Sequence, residues 1–256
     1  MSTSPYRAPV ISRRVLLRQA ISVGLLAAPV AGILAACGSD VPASRPSAVP
    51  AHAVPSTAHA EAGPAEVVLF HHALGLTAGV RAFASKLRHV GYTVHTPDLY
   101  HGKTFPTLDK GLAYANSIGL DVFAQRGVAA ADGLTTNLVY MGISLGVMPA
   151  QQLAETRPGA RGAVLLEGCI PPSQYASVWP GTEPVQIHGM DADPIFAGEG
   201  DLAAARVLVT EADDGHLFLY HGNRHLFTDS SLPTYDPKAA ALVTQRVIEF
   251  LNRNAR

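Results

Sequence analysis

The chain has 256 residues and a formal net charge of -1, with 19 lysines and arginines against 20 aspartates and glutamates. Such a balance offers no basic stripe for a phosphate backbone, which argues against nucleic acid as a partner. Two cysteines, Cys37 and Cys169, are too few and too far apart for a disulfide framework, and the 11 histidines form neither His-x-His nor His-Glu-x-x-His, so no metal site is expected.

The amino-terminal part reads as an address. Ser12, Arg13, Arg14, Val15, Leu16, Leu17 and Arg18 resemble a twin-arginine export signal, and no charge follows from Gln19 to Ala36. That stretch ends at Leu34, Ala35, Ala36, Cys37, Gly38, Ser39, which resembles a lipobox, the site at which a cysteine is acylated and becomes the first mature residue. Residues 1–37 are therefore read as a signal segment with Cys37 as the lipidation site, placing the protein outside the cytoplasm on a membrane through a lipid anchor. An uncleaved membrane helix is the alternative, and Pro29 and the internal glycines weigh against it. Residues 38–64 are rich in Pro, Ala and Ser and cannot bury a core, so they read as a tether. The folded domain spans 65–256.

Within the domain, Glu66 to Phe70 is a buried-strand run, followed by the loop His71, His72, Ala73, Leu74, Gly75. Thr77 caps a helix with apolar face Val80, Phe83, Ala84, Leu87 and Val90, closed by Gly91. Tyr92 to His95 is the second strand. Gly111 to Gln125 carries a weaker helical pattern broken at Gly119, and Gly127 to Gly133 leads to a third strand, Leu138 to Met141. Further strands are read at Ala163 to Leu166, Val185 to His188 and His216 to Tyr220. Helices are read at Val147 to Glu155, at Leu202 to Ala212, and from Pro237 behind the cap Asp236. Alternating strands and helices imply an α/β architecture, a mostly parallel doubly wound sheet flanked by helices, with its site at the carboxyl ends of the strands.

The third strand runs into Gly142, Ile143, Ser144, Leu145, Gly146, a Gly-x-Ser-x-Gly with a strand before it and a helix after it. A serine on so sharp a turn is held in a strained conformation, and a side chain at either flanking position would strike the neighbouring backbone. The turn frees the Leu145 amide to donate to an oxyanion. Pro149 removes a hydrogen bond in the second turn of the following helix and is expected to bend it. The basic partner must follow the last strand at its carboxyl end: His216 opens that strand, His221 closes it, and His225 on the loop beyond has room to turn inward, so His225 is favoured. The acid should follow the Val185 strand, where Asp191, first after the Gly189 turn, is preferred to Asp193, with Glu167 a substitute from the preceding strand. The second oxyanion donor is assigned to the amide of Ala73. His71 and His72 are read as structural, Cys169 as an inert buried thiol, and Tyr175 and Trp179 as either pocket walls or core.

Taken together, Leu74–Gly75, Pro97 to Tyr100, the elbow at 142–146, Gly189 to Asp191, and Tyr220 with His225 and Phe227 resemble the dienelactone hydrolase family of the α/β-hydrolase fold. The resemblance implies that fold without a separate lid domain, and an acyl-transfer hydrolase that needs no cofactor and acts on a small ester or lactone. Well-known members use a cysteine nucleophile and a first-loop glutamate, where this chain has Ser144 and His72. They also hold a substrate carboxylate with two arginines, which would fall near Gly102 and Asp229, with Lys103 the nearest replacement; this departure argues against dienelactone itself. The rival class is a tethered binding lipoprotein that keeps the fold without the chemistry.

Overall fold

Six strands build one sheet in the order β2-β1-β3-β4-β5-β6, every neighbouring pair parallel. They are β1 (Glu66–Phe70), β2 (Val94–His95), β3 (Leu138–Ile143), β4 (Ala160–Leu166), β5 (Val185–Met190) and β6 (Gly215–Tyr220). The helices are α1 (Ala78–His89), α2 (Leu108–Ile118), α3 (Leu120–Ala131), α4 (Val147–Thr156), α5 (Asp201–Glu211) and α6 (Pro237–Asn254). This computed structural model describes residues 66–254; the expected signal segment, Cys37 and the tether lie outside the described residues. Among the described residues no helix is long and apolar enough to cross a membrane.

The continuous apolar runs of the central strands follow from burial on both faces. Val67 and Leu69, Val139, Met141 and Ile143, and Val164 and Leu166 pack with α1 and α6 through Val80, Phe83, Leu87, Val243, Val247 and Phe250. Their neighbours Val68 and Phe70, Leu138 and Tyr140, and Ala163 and Leu165 point the other way, into a core shared with α2, α3, α4 and α5. This is the period-2 alternation of a strand expressed as two cores.

Several local expectations are corrected. The helical pattern after the second strand begins earlier, because Thr107 caps α2 by accepting from the Lys110 amide. It also runs on as α3 to Ala131 rather than ending near Gln125. Gly127 therefore lies inside a helix, where a Cβ would come within 2.3 Å of Pro149 Cβ. Pro149 itself sits in the first turn of α4, where a missing N–H costs little, and serves as the packing surface against Gly127. No α-helix connects β4 to β5. Pro171, Pro172, Pro180 and Pro184 limit that crossover to one short 3-10 turn, Pro172–Gln174, so no lid domain arises there. Trp179 is core: it is 1% exposed, and its indole N–H donates to the Glu183 carbonyl.

Candidate active site

The turn after β3 is a strained elbow. Ser144 has φ 50, a left-handed conformation costly for a residue with a Cβ. A Cβ on Gly142 would fall 2.3 Å from the Gly146 carbonyl oxygen, and one on Gly146 would fall 2.4 Å from that of Phe70 and 2.7 Å from that of His71. Both glycines are thus demanded by backbone contact. The contact at Gly146 seats the elbow against the end of β1, whose Phe70 pairs in register with Gly142. The His71–Leu74 loop consequently begins beside Ser144.

Ser144 Oγ lies 2.8 Å from His225 Nε2, and His225 Nδ1 lies 2.7 Å from Asp193 Oδ2. Asp193 is fully buried and Ser144 is 2% exposed, while the His225 side chain retains 8%. With Nδ1–H donating to Asp193, Nε2 is left to accept from the serine hydroxyl. Asp193 is itself held by the Ile195 amide, which donates to its Oδ1 at 2.8 Å.

The structure therefore brings Ser144 and His225 together but corrects the acid from Asp191 to Asp193. Gly189 is not the turn. It lies within β5, where a Cβ would be 2.2 Å from the Phe196 ring. Pairing continues one residue past β5, with the Asp191 amide donating to the Tyr220 carbonyl, and only then does the Asp193 amide close a turn on the Met190 carbonyl. Asp191 thereby stays at the sheet's flank, taking hydrogen bonds from the Gly222 amide and pairing with His221, whose side chain is 98% exposed. The Gly222 amide and then His221 hold its carboxyl below the usual range. The turn carries Asp193 back over the strand ends.

The two histidines of the first loop are structural, and each has a fixed tautomer. His71 Nδ1 donates to the His72 carbonyl and Nε2 accepts from the Leu99 amide, so the ring is neutral. Burial lowers its pKa to about 4. His72 Nδ1 accepts from the Leu74 amide at 3.2 Å, and Nε2 donates to Asp229 Oδ2 at 2.8 Å. Asp229 also accepts from Thr77 Oγ1 and from the amide and hydroxyl of Ser231. Burial alone would raise its carboxyl, yet the hydrogen bonds from His72, Ser231 and Thr77 hold it down at about 2. This network, which sequence reasoning missed, ties the β1 loop to the loop bearing His225. Ala73, between His72 and Leu74 in the chain, is fully buried.

Cys169 is buried, and burial pushes its thiol pKa well up, as expected of an inert group. Lys103 rests its ammonium 4.8 Å from the centre of the Tyr114 ring. Among the described residues, no group of three or more His, Cys, Asp or Glu is placed to hold a metal ion.

A family model described as the dienelactone hydrolase family matches residues 51–255. No curated relative matches the sequence. Among solved structures, the chain is similar to a dienelactone hydrolase-like promiscuous phosphotriesterase from metagenomic libraries, at 18% identity and TM-score 0.60, covering 77% of this chain and 89% of that one. It is likewise similar to a dienelactone hydrolase from Anabaena variabilis (20% identity, TM-score 0.54, 76% and 89% covered). A third is the mouse alpha/beta hydrolase domain-containing protein 10 (12% identity, TM-score 0.56, 73% and 90% covered). At these identities the structural likeness speaks to the fold.

Proposed function

This chain belongs to the dienelactone hydrolase family, and from that premise we propose that it is an extracytoplasmic serine hydrolase cleaving a small ester or lactone through an acyl-enzyme. The observation that carries the reading is the strained Ser144 in line with His225 and Asp193, at 2.8 and 2.7 Å.

In the proposed reaction, Ser144 Oγ attacks the carbonyl carbon as its proton passes to His225 Nε2, and buried Asp193 stabilises the resulting imidazolium. The amides of Leu145 and Ala73 receive the developing oxyanion, a contribution of about a hundredfold or more per donor. Collapse expels the leaving alkoxide, which takes the proton from His225 and leaves the acyl group on Ser144. Water then attacks with His225 as base, Ser144 is released and reprotonated, and a carboxylic acid departs. These steps use side chains, amides and water alone.

An uncharged substrate fits the surroundings better than a carboxylate-bearing lactone. Near the place where the resemblance puts one of the family's arginines lies Asp229, a buried anion already paired with His72. The extracytoplasmic location is supported by the twin-arginine and lipobox-like residues alone, and metabolic labelling with a fatty acid, lost in Cys37→Ala, tests it.

The hydrolase reading is tested by intact mass and peptide mapping of the full chain after exposure to a fluorophosphonate, beside Ser144→Ala. One adduct on Ser144, absent from the control, is the expected result. No adduct on a folded chain would overturn the reading in favour of a tethered binding protein.

A further inference from the structure

The two edges of the sheet are built differently. At one, β2 is two residues long and Pro97 follows it closely. The Val67 amide takes the Thr93 carbonyl, so that of Val94 faces outward, and Arg88 covers it with both Nε and Nη2. Shortness, a proline and a cation are devices by which an edge refuses another strand. At the other edge β6 carries none of them. Gly215–Tyr220 has six residues with no proline, lysine or arginine, and among the described residues no strand lies on its outer side.

Register decides what that edge offers. The Val185 and Asp191 amides donate to the Asp214 and Tyr220 carbonyls, so the even-numbered residues spend their backbone groups on β5, and Gly215, Leu217 and Leu219 turn theirs outward. The even side chains share the α6 face. His216 and His188 both stack on Phe218, and Arg246 of α6 lies over the rings of Phe218 and Tyr220, 4.2 and 5.3 Å from their centres. Among the described residues Arg246 makes no ion pair with a carboxylate. Leu219 on the strand and Leu242, one turn before Arg246 on α6, are exposed.

We propose that β6 is a dimer interface, to which a second copy of this chain adds its own β6 antiparallel across a two-fold axis at Leu217. Among two-fold registers this one matches all three outward residues with one another: Gly215 with the partner's Leu219, and the two copies of Leu217 with each other. Each pair exchanges both of its backbone hydrogen bonds. The exposed Leu219 then lands opposite a glycine and has room to cover it. On the α6 face the intervening pairs set the partner's His216 opposite Phe218 and the partner's Asp214 opposite Tyr220, with Cβ atoms about 5 Å apart. That acid reaches the guanidinium lying over the Tyr220 ring, so opposite charges meet once on each side of the axis. The inference is independent of the chemistry at Ser144.

The test is sedimentation equilibrium of the full chain at about 100 μM, well above a micromolar Kd. Twice the mass of one chain is expected. Leu219→Pro removes an outward amide that the β5 ladder does not use, a position at which edge strands accept proline, and should leave a folded single chain. Asp214→Arg and Arg246→Asp leave the strand intact and set like charges across the axis, so each alone should weaken association about tenfold or more. An equimolar mixture of these two variants should recover the dimer, because both contacts of the mixed pair then join opposite charges; such recovery can arise only between chains. A single-chain mass for the unaltered protein would overturn the proposal. So would a dimer that survives Leu219→Pro, or charge variants that gain nothing on mixing. If Leu219→Pro does not fold, the mixing experiment decides alone.

Discussion

Replacing Asp193 by asparagine isolates the acid's role with little change of shape. The Ile195 amide donates to Oδ1 at 2.8 Å, so the amide oxygen of the substituted side chain will occupy that position. Its NH2 group then faces His225 Nδ1, where Oδ2 now sits at 2.7 Å. An NH2 donates, so Nδ1 must become the acceptor and the ring proton moves to Nε2, the atom that should receive the proton of Ser144. A triad with its histidine in the wrong tautomer loses about 10⁴ in kcat, or about 5.5 kcal/mol of transition-state stabilisation. Asp191→Asn makes the contrast. Its side chain pairs with an almost fully exposed His221, and turnover should stay within about twofold of the unaltered chain. Hydrolysis of a short-chain nitrophenyl ester, with the rate of fluorophosphonate labelling measured in parallel, reads both variants. A larger loss in Asp191→Asn than in Asp193→Asn would refute the assignment.

Three further outcomes follow from the same contacts. Gly146→Ala places a methyl 2.4 Å from the Phe70 carbonyl oxygen, a backbone atom that cannot swing away, and should lower stability by about 2 kcal/mol or more in urea denaturation. His72→Ala removes the bonds to Asp229 and to the Leu74 amide, costing about 2–4 kcal/mol of stability and, by loosening the loop that carries Ala73, about tenfold in kcat with KM nearly unchanged; an unchanged kcat would refute that role for the loop. Stability should be nearly level between about pH 5 and 6.5 and fall steeply below about 4.5, as read from urea midpoints. His71 and His188, lowered by burial from 6.5 to about 4 and about 3, bind fewer protons folded than unfolded, so their contribution is lost as pH falls below 6.5. Glu155 and Glu167, raised by burial from 4.5 to about 7, act oppositely: their contribution is present at acid pH and lost as pH rises through 7, which offsets the histidines in between. Below 4.5 the offset ends, and Asp229, depressed from 3.8 to about 2, adds to the loss, each proton costing up to about 1.4 kcal/mol per pH unit.

What the chain declares about itself is local. The elbow was legible because its demand is met within five residues: the strain at Ser144 and the contact across Gly142 and Gly146 leave glycines at fixed spacing. The central strands were legible because burial on both faces requires unbroken apolar runs, and α1 and α6 because their caps and faces repeat over a few turns. His225 followed from chain order once the last strand was placed. Tertiary structure decided the rest, through contacts between residues with no sequence signature of each other. Asp193 rather than Asp191 faces His225 because the Asp191 amide extends the ladder to Tyr220, a pairing set by the neighbouring strand and not by the residues around the turn. His72 and Asp229 stand 157 positions apart, and each alone reads as an ordinary loop residue. Glu167 and Thr228 likewise stand 61 positions apart, and only the packing seats the carboxyl of one on the amide of the other. Local sterics are written in spacing; the partners of a buried charge are written only in the packing that encloses it.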